Sequence, residues 1–236
     1  GAPIGSDLLT ALYDLNDTTL LIGAREGALV FLDKRTFTCT HWADSLDLSP
    51  DRGRSASPHA QGWCHAITPL NDTLLWIGFL HSGRSLLVDR RTLLTLRQLT
   101  IRREGSESQT CAALLGDTLF SGGWQNDIDA VGLVPDAGTR FAPTPFRRLP
   151  IPDEVNTLIR WDEHHLLAGS RGIGLYMVDV RTGATRRYAR MRGDANSLMD
   201  DRVRALFHDR QGTLWVATAN GLDRFVPMVW HMRRTE

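Results

Sequence analysis

Asp127 and Asp129 stand two residues apart in WQNDIDAVG, so an extended backbone would point both carboxylates to one face. Paired carboxylates, with Glu26 as a third candidate, could do general acid–base work of the kind a lyase or glycosidase needs. Cys64-His65 has the atoms of a thiolate–imidazole pair, but neighbours in a strand point to opposite faces. His164-His165 fails as a metal pair for the same reason. Cys39, Cys64 and Cys111 are widely separated and odd in number, which supports neither a CxxC metal site nor a disulfide framework. They are expected to be small buried core residues, and no metal or cofactor is expected. A different chemistry, recognition rather than turnover, is spelled by Arg25, His81, Arg84, Trp124, Gln125, Arg171 and Asn220. Guanidinium forks match carboxylate and phosphate oxygens, and an indole face stacks on sugars and rings. The ligand such a set would take is anionic or polyhydroxylated, an oligosaccharide for example.

These residues belong together only if the chain repeats. Five segments align on a turn followed by an apolar run: NDTTLLIG at 16–23, NDTLLWIG at 71–78, GDTLFSGG at 116–123, DEHHLLAG at 162–169 and QGTLWVAT at 211–218. Their starts are 55, 45, 46 and 49 residues apart. Each is preceded by a short apolar run and followed by a polar loop and another apolar run. A second turn, Asp-x-Arg-Thr, recurs at 33–36, 89–92 and 179–182. Short apolar runs separated by Asn, Asp and Gly turns are hairpin signals, and no segment sustains helical spacing. A period of this length with four strands per unit predicts an all-β fold, a β-propeller of five blade-like four-stranded antiparallel repeats. Residues 1–236 then read as one propeller domain, with blades over about 7–42, 62–100, 109–149, 154–190 and 197–232. Five units would either close a ring or form a segment of a larger propeller. The loop between the second and third strands of each blade lies on one face, near the axis. Counting two residues past the aligned Gly or Thr reaches Arg25, Leu80, Gln125, Arg171 and Asn220, with His81, Arg84 and Trp124 close by.

One unit has a more specific pattern. VRALFHDRQGTLWVATANGLDRF, with Val203, Arg204, Asp209, Gly212, Leu214, Trp215, Val216, Thr218, Asn220, Gly221, Leu222 and Phe225 in their places, closely resembles the two-component regulator propeller repeat. Ala217 stands where that repeat usually has Gly. The first and fourth units match more loosely. The resemblance implies the extracytoplasmic sensor region of a bacterial signal-transduction receptor, on the periplasmic or extracellular side of the inner membrane. It also implies other receptor domains as partners, with any kinase or cyclase activity outside this chain. A protein-interaction platform without a small ligand is the alternative, and a carbohydrate-active propeller enzyme the third reading. Fold alone does not choose among them.

Charge agrees with this. The chain has 27 basic and 27 acidic side chains, so no global field recruits nucleic acid or an anionic membrane. No apolar run approaches the roughly 18 residues a membrane helix needs, so direct insertion is not expected. The opening GAPIGSD lacks the basic and apolar regions of a signal peptide, so a signal is expected to be absent or already removed. The Asn-Asp-Thr sequons at Asn16 and Asn71 both fall in the same hairpin turn, which explains them without glycosylation. Residues 43–62 and 101–110 are long polar connections of the length that functional or mobile loops have.

Overall fold

The computed structural model describes residues 8–24, 29–42, 63–81, 84–100, 108–135, 141–143 and 147–225. The long connection at 43–62 and most of that at 101–110 lie outside them. The chain is all-β, a β-propeller of five successive antiparallel blades, with no helix among the described residues. Two compact units divide it: Gly1–Thr110 with Leu133–Thr144, and Cys111–Gly132 with Pro145–Glu236.

In the first unit, blade 1 is β1 (Leu9–Asn16), β2 (Thr19–Ala24), β3 (Leu29–Asp33) and β4 (Cys39–His41), paired in chain order. Blade 2 is β5 (Trp63–Pro69), β6 (Leu74–Leu80), β7 (Arg84–Asp89) and β8 (Thr95–Thr100), again paired in order. A shared core of Leu21, Leu29, Cys64, Ile67, Ile77 and Phe79 joins the two sheets. Blade 3 comprises β9 (Gln109–Leu115), β10 (Thr118–Gly123), β11 (Asp127–Pro135), β12 (Phe141–Pro143) and β13 (Arg147–Pro150). Its residues are divided between the two units, and two short strands besides β10 pair with β11. β12 pairs with the second half of β11 (Leu133↔Pro143), and β13 pairs with the first half (Asp129↔Arg148).

In the second unit, blade 4 is β14 (Val155–Arg160), β15 (His165–Ser170), β16 (Leu175–Asp179) and β17 (Thr185–Tyr188). Blade 5 is β18 (Val203–His208), β19 (Leu214–Thr218) and β20 (Gly221–Phe225), a three-stranded sheet among the described residues. The fourth strand expected before 232 falls outside them. One core of Phe120, Ile128, Leu149, Val155, Leu158 and Leu166 joins blades 3 and 4. A second, of Leu167, Leu175, Val203, Leu206, Leu214 and Val216, joins blades 4 and 5.

Repeated side chains explain the repeated turns. Asn16, Asn71, Asp162 and Asp209 each open the first hairpin by accepting backbone N–H bonds two to four residues on. For Asn71 these come from Thr73 and Leu74, both at 2.8 Å. For Asp209 they come from Gln211 and Thr213, both at 2.9 Å. Asp33, Asp89 and Asp179 do the same in the Asp-x-Arg-Thr turn, each accepting from the Arg and Thr amides. A short acidic or amide side chain can make this local bond, which is why Asn and Asp mark the turns. The fifth residue of the second turn adopts a left-handed conformation in all three copies: Phe37 (φ 54°), Leu93 (φ 59°) and Gly183 (φ 77°).

Blades meet through a second repeated device. Gly23, Gly122 and Gly169 hold corresponding places in β2, β10 and β15, and each lies under a first-strand side chain of the next blade: Cys64, Val155 and Val203. A Cβ at Gly122 would sit 2.9 Å from the Val155 Cβ, and one at Gly169 would sit 2.5 Å from Val203 Cγ1. A polar bond crosses at the same level. Thr10 Oγ1 donates to the Cys64 carbonyl, and Asn156 Nδ2 donates to the Val203 carbonyl at 3.0 Å.

Candidate functional site

The loops between second and third strands carry the predicted recognition residues. His81 follows β6, Trp124 and Gln125 follow β10, Arg171 follows β15, and Asn220 links β19 to β20. Arg25 lies outside the described residues, as does Glu26. Arg84 opens β7, and its backbone alone is described.

Strand register shows that the set occupies two adjacent positions of the blade, not one. Gly78, Gly169 and Ala217 are equivalent, each pairing with the residue that follows the first-strand bulge (Ala66, Thr157 and Ala205), and Gly122 shares with Gly169 its place under the opening valine of the next blade. Trp124 and Arg171 then share the second position after that residue, and His81, Gln125 and Asn220 share the third. Counting from Thr218, rather than from Ala217, is what placed Asn220 level with Arg171. The backbone confirms the frame: the Arg171 amide bonds the Glu154 carbonyl at 3.0 Å, and the Ala219 amide bonds the Arg202 carbonyl, also at 3.0 Å.

In the second unit, the structure brings Trp124 and Arg171 together. The guanidinium carbon lies 5.9 Å from the centre of the Trp124 ring, within cation–π range. The same guanidinium is held by the Glu154 carboxylate, whose hydrogen bond and charge raise the Arg171 pKa above its ordinary value. Asp153 next to it accepts the Gly172 amide at 2.7 Å. The result is an indole face, a guanidinium and two carboxylates within one loop cluster, with the Arg171 side chain 58% exposed.

The other predicted residues are engaged elsewhere. Gln125 Nε2 donates to the Asp129 carboxylate at 3.2 Å, and Arg148, directly opposite in β13, lies 3.7 Å from the other oxygen. Asp129 is fully buried, so it holds this loop to its own sheet. Asn220 Nδ2 donates to Asp200 at 2.6 Å. Asp200 also accepts from the Arg202 side chain and amide, bonds that lower its pKa below the usual carboxylate range. In the first unit the His81 ring stands edge-on to Trp63, with centres 4.9 Å apart, and its amide points at Ser108 Oγ, 3.4 Å away. His81 has a left-handed backbone (φ 61°), which side-chain-bearing residues adopt at a cost.

Sequence reasoning missed Glu154, Asp153, Asp200 and Arg202. Their signal is positional: Glu154 and Arg202 each immediately precede the valine that opens a first strand. The catalytic alternatives look different in three dimensions. Burial pushes the Cys64 thiol far above its usual range and lowers the His65 pKa, so this pair offers no thiolate nucleophile. His165 Nδ1 lies 2.9 Å from both Asp162 oxygens in a hairpin turn. Among the described residues no His, Cys, Asp and Glu cluster is arranged to hold a metal, and no helix is long and apolar enough to cross a membrane.

Comparison with known proteins follows the same lines. Residues 197–220 match the family described as two component regulator propeller. Comparison with curated proteins gives no match. Among solved structures, the chain is similar to the extracellular domain of the putative one component system BT4673 from B. thetaiotaomicron, at 14% identity and a TM-score of 0.65. It is similar also to the extracellular domain of the putative hybrid two component system BT3049 from the same organism, at 13% identity and a TM-score of 0.63. The alignments cover 95% of this chain in both cases, but 28% and 29% of those chains. The computationally designed Ika8 protein is a third neighbour, with a TM-score of 0.56 at 14% identity, covering 92% of this chain and 57% of that one. At such identities the likeness is one of fold. The chain is a β-propeller that carries a two component regulator propeller repeat at residues 197–220.

Proposed function

We propose that residues 1–236 form one sensing domain, the extracytoplasmic propeller of a bacterial signal-transduction receptor, which binds a small ligand on the loop face carrying Arg25, His81, Arg84, Trp124, Gln125, Arg171 and Asn220. Binding passes a change in arrangement to other domains of the receptor, and no chemistry is done in this chain. The sensor reading is supported by the matched repeat and by the extracellular receptor domains among the structural neighbours. The Trp124–Arg171–Glu154 cluster supports the choice of ligand. Arg171 is already neutralised by Glu154, so the cluster offers donors, acceptors and an apolar ring face together. That combination suits a carbohydrate, neutral or acidic, better than a bare inorganic anion.

The experiment is a thermal-shift and calorimetric screen against acidic and neutral oligosaccharides, with hydrolysis followed in the same samples. A ligand at a hundred times its Kd raises stability by about 2.7 kcal/mol, which is readily seen. Trp124→Ala is expected to weaken that binding at least about tenfold without changing the fold. Saturable binding with no product supports the sensor, and product formation would favour an enzyme. Absence of any shift would turn the assignment to a protein-interaction platform.

A further inference from the structure

In the second unit, the Arg171 guanidinium is claimed before any ligand arrives. Its Nη1 donates to Glu154 Oε2 at 2.5 Å, its carbon lies 5.9 Å from the centre of the Trp124 ring, and the Asp153 charge acts on it as well. Arg187, which also reaches this loop, donates its Nε to the Ile173 carbonyl at 2.6 Å. The next blade engages its guanidinium in the same manner with different residues. Arg202, in the place of Glu154, donates to Asp200 at 3.0 Å, and Asp200 also accepts from Asn220 at 2.6 Å. The side chains of the Arg171 cluster remain within reach of a ligand: Arg171 is 58% and Glu154 28% exposed, and Trp124 is half-buried.

A sugar hydroxyl and a sugar carboxylate fare differently at such a pair. A hydroxyl both donates and accepts, so it can donate to Glu154 and accept from Arg171 while the two stay together. An ionised carboxylate only accepts. To use the Arg171 fork it must displace Glu154, and it then lies beside two like charges, those of Glu154 and Asp153.

We propose that Glu154 is the specificity-determining residue of this site, and that the ligand is a neutral saccharide whose hydroxyls bridge Glu154 and Arg171 beside the Trp124 ring. This rests on the reading that the loop face binds a saccharide. Uronic acids and sulfated sugars are disfavoured by the same pair that accepts their neutral counterparts, so selectivity comes from repulsion as well as attraction. The backbone holds the pair in register: the Glu154 carbonyl accepts the Arg171 amide at 3.0 Å, immediately before the valine that opens blade 4.

The test is titration calorimetry, at neutral pH and low salt, with saccharide pairs that differ only in a hydroxymethyl or a carboxylate on the ring: oligomers of galactose and galacturonate, glucose and glucuronate, mannose and mannuronate. A neutral oligomer is expected to bind the 236-residue chain at least about tenfold more tightly than its uronate. Glu154→Gln keeps the shape and an acceptor oxygen, and is expected to cut that ratio at least about fivefold by strengthening uronate binding. Adding Arg171→Gln should remove the gain, a coupling that general loss of structure does not produce. Circular dichroism and Tm verify that both variants fold. A uronate that binds wild type as tightly as its neutral counterpart overturns the selectivity and leaves the saccharide reading standing. So does a ratio that Glu154→Gln leaves unchanged. Binding of no oligomer in either series overturns both.

Discussion

Asp179 shows how much one carboxylate sets locally. Its oxygen takes the amides of Arg181 and Thr182, and these backbone bonds, Thr182's first, lower its pKa. Asp33 and Asp89 are lowered in the same way, through Thr36 and Thr92. A carboxylate whose pKa is lower folded than unfolded stabilises the fold above the unfolded value, about 3.9, and loses that contribution as pH falls through the folded one. The protein should therefore lose stability below about pH 4, seen as a falling Tm in a pH series. Asp179→Ala should lower Tm at pH 7, whereas Asp179→Asn keeps an acceptor oxygen and should lie closer to wild type. Phe37, 76% exposed, occupies the left-handed place that Gly183 fills in blade 4, so Phe37→Gly is expected to stabilise by about 0.5–1 kcal/mol in denaturant titrations. Turn residues of this kind are legible in sequence because the bond they make is two to four residues away. The Glu154–Arg171 and Asp200–Asn220 pairs, 17 and 20 residues apart, were not, since only the folded blade brings the partners together.

The blades follow from strands whose side chains alternate between two neighbouring sheets. Gly169 gives a direct test: it is buried, and a Cβ there meets Val203 and Thr157, so Gly169→Ala should cost about 1–3 kcal/mol through overpacking, measured by chemical denaturation. Ala217→Gly, at the equivalent place in blade 5, should cost little beyond backbone entropy. The five units were readable because each begins with an Asn, Asp or Gly turn at regular spacing. The pairing of β13 with β11 in blade 3 was not. RRLP at 147–150 has no alternation of its own, and it becomes a strand because β11 is nine residues long and offers Asp127–Ala130 as a partner. Arg147 then fastens it to blade 4, donating to the Val180 and Arg181 carbonyls at 2.8 and 2.9 Å.

For the molecule as a whole, the cysteines give a simple measurement of how completely the blades pack. Cys64 and Cys111 are buried in different cores, Cys39 is partly accessible, and all three are free thiols. A thiol reagent should label one cysteine in the native protein and three after denaturation, counted by mass spectrometry. Two or three rapid native labels would mean that the contacts at Gly23 and Gly122 open readily. Under the proposed extracytoplasmic location, that pattern of burial would also keep two of the three thiols from oxidation. The outer edge of blade 3 has a further consequence for life in a crowded compartment. A long straight strand at a sheet's rim is a template on which another chain can add and start a fibril. Here the strands that pair with β11 on either half are only three and four residues long, and each ends in proline, which has no amide hydrogen to offer the next chain. An unrelated polypeptide arriving at this edge finds too short a ladder to build on.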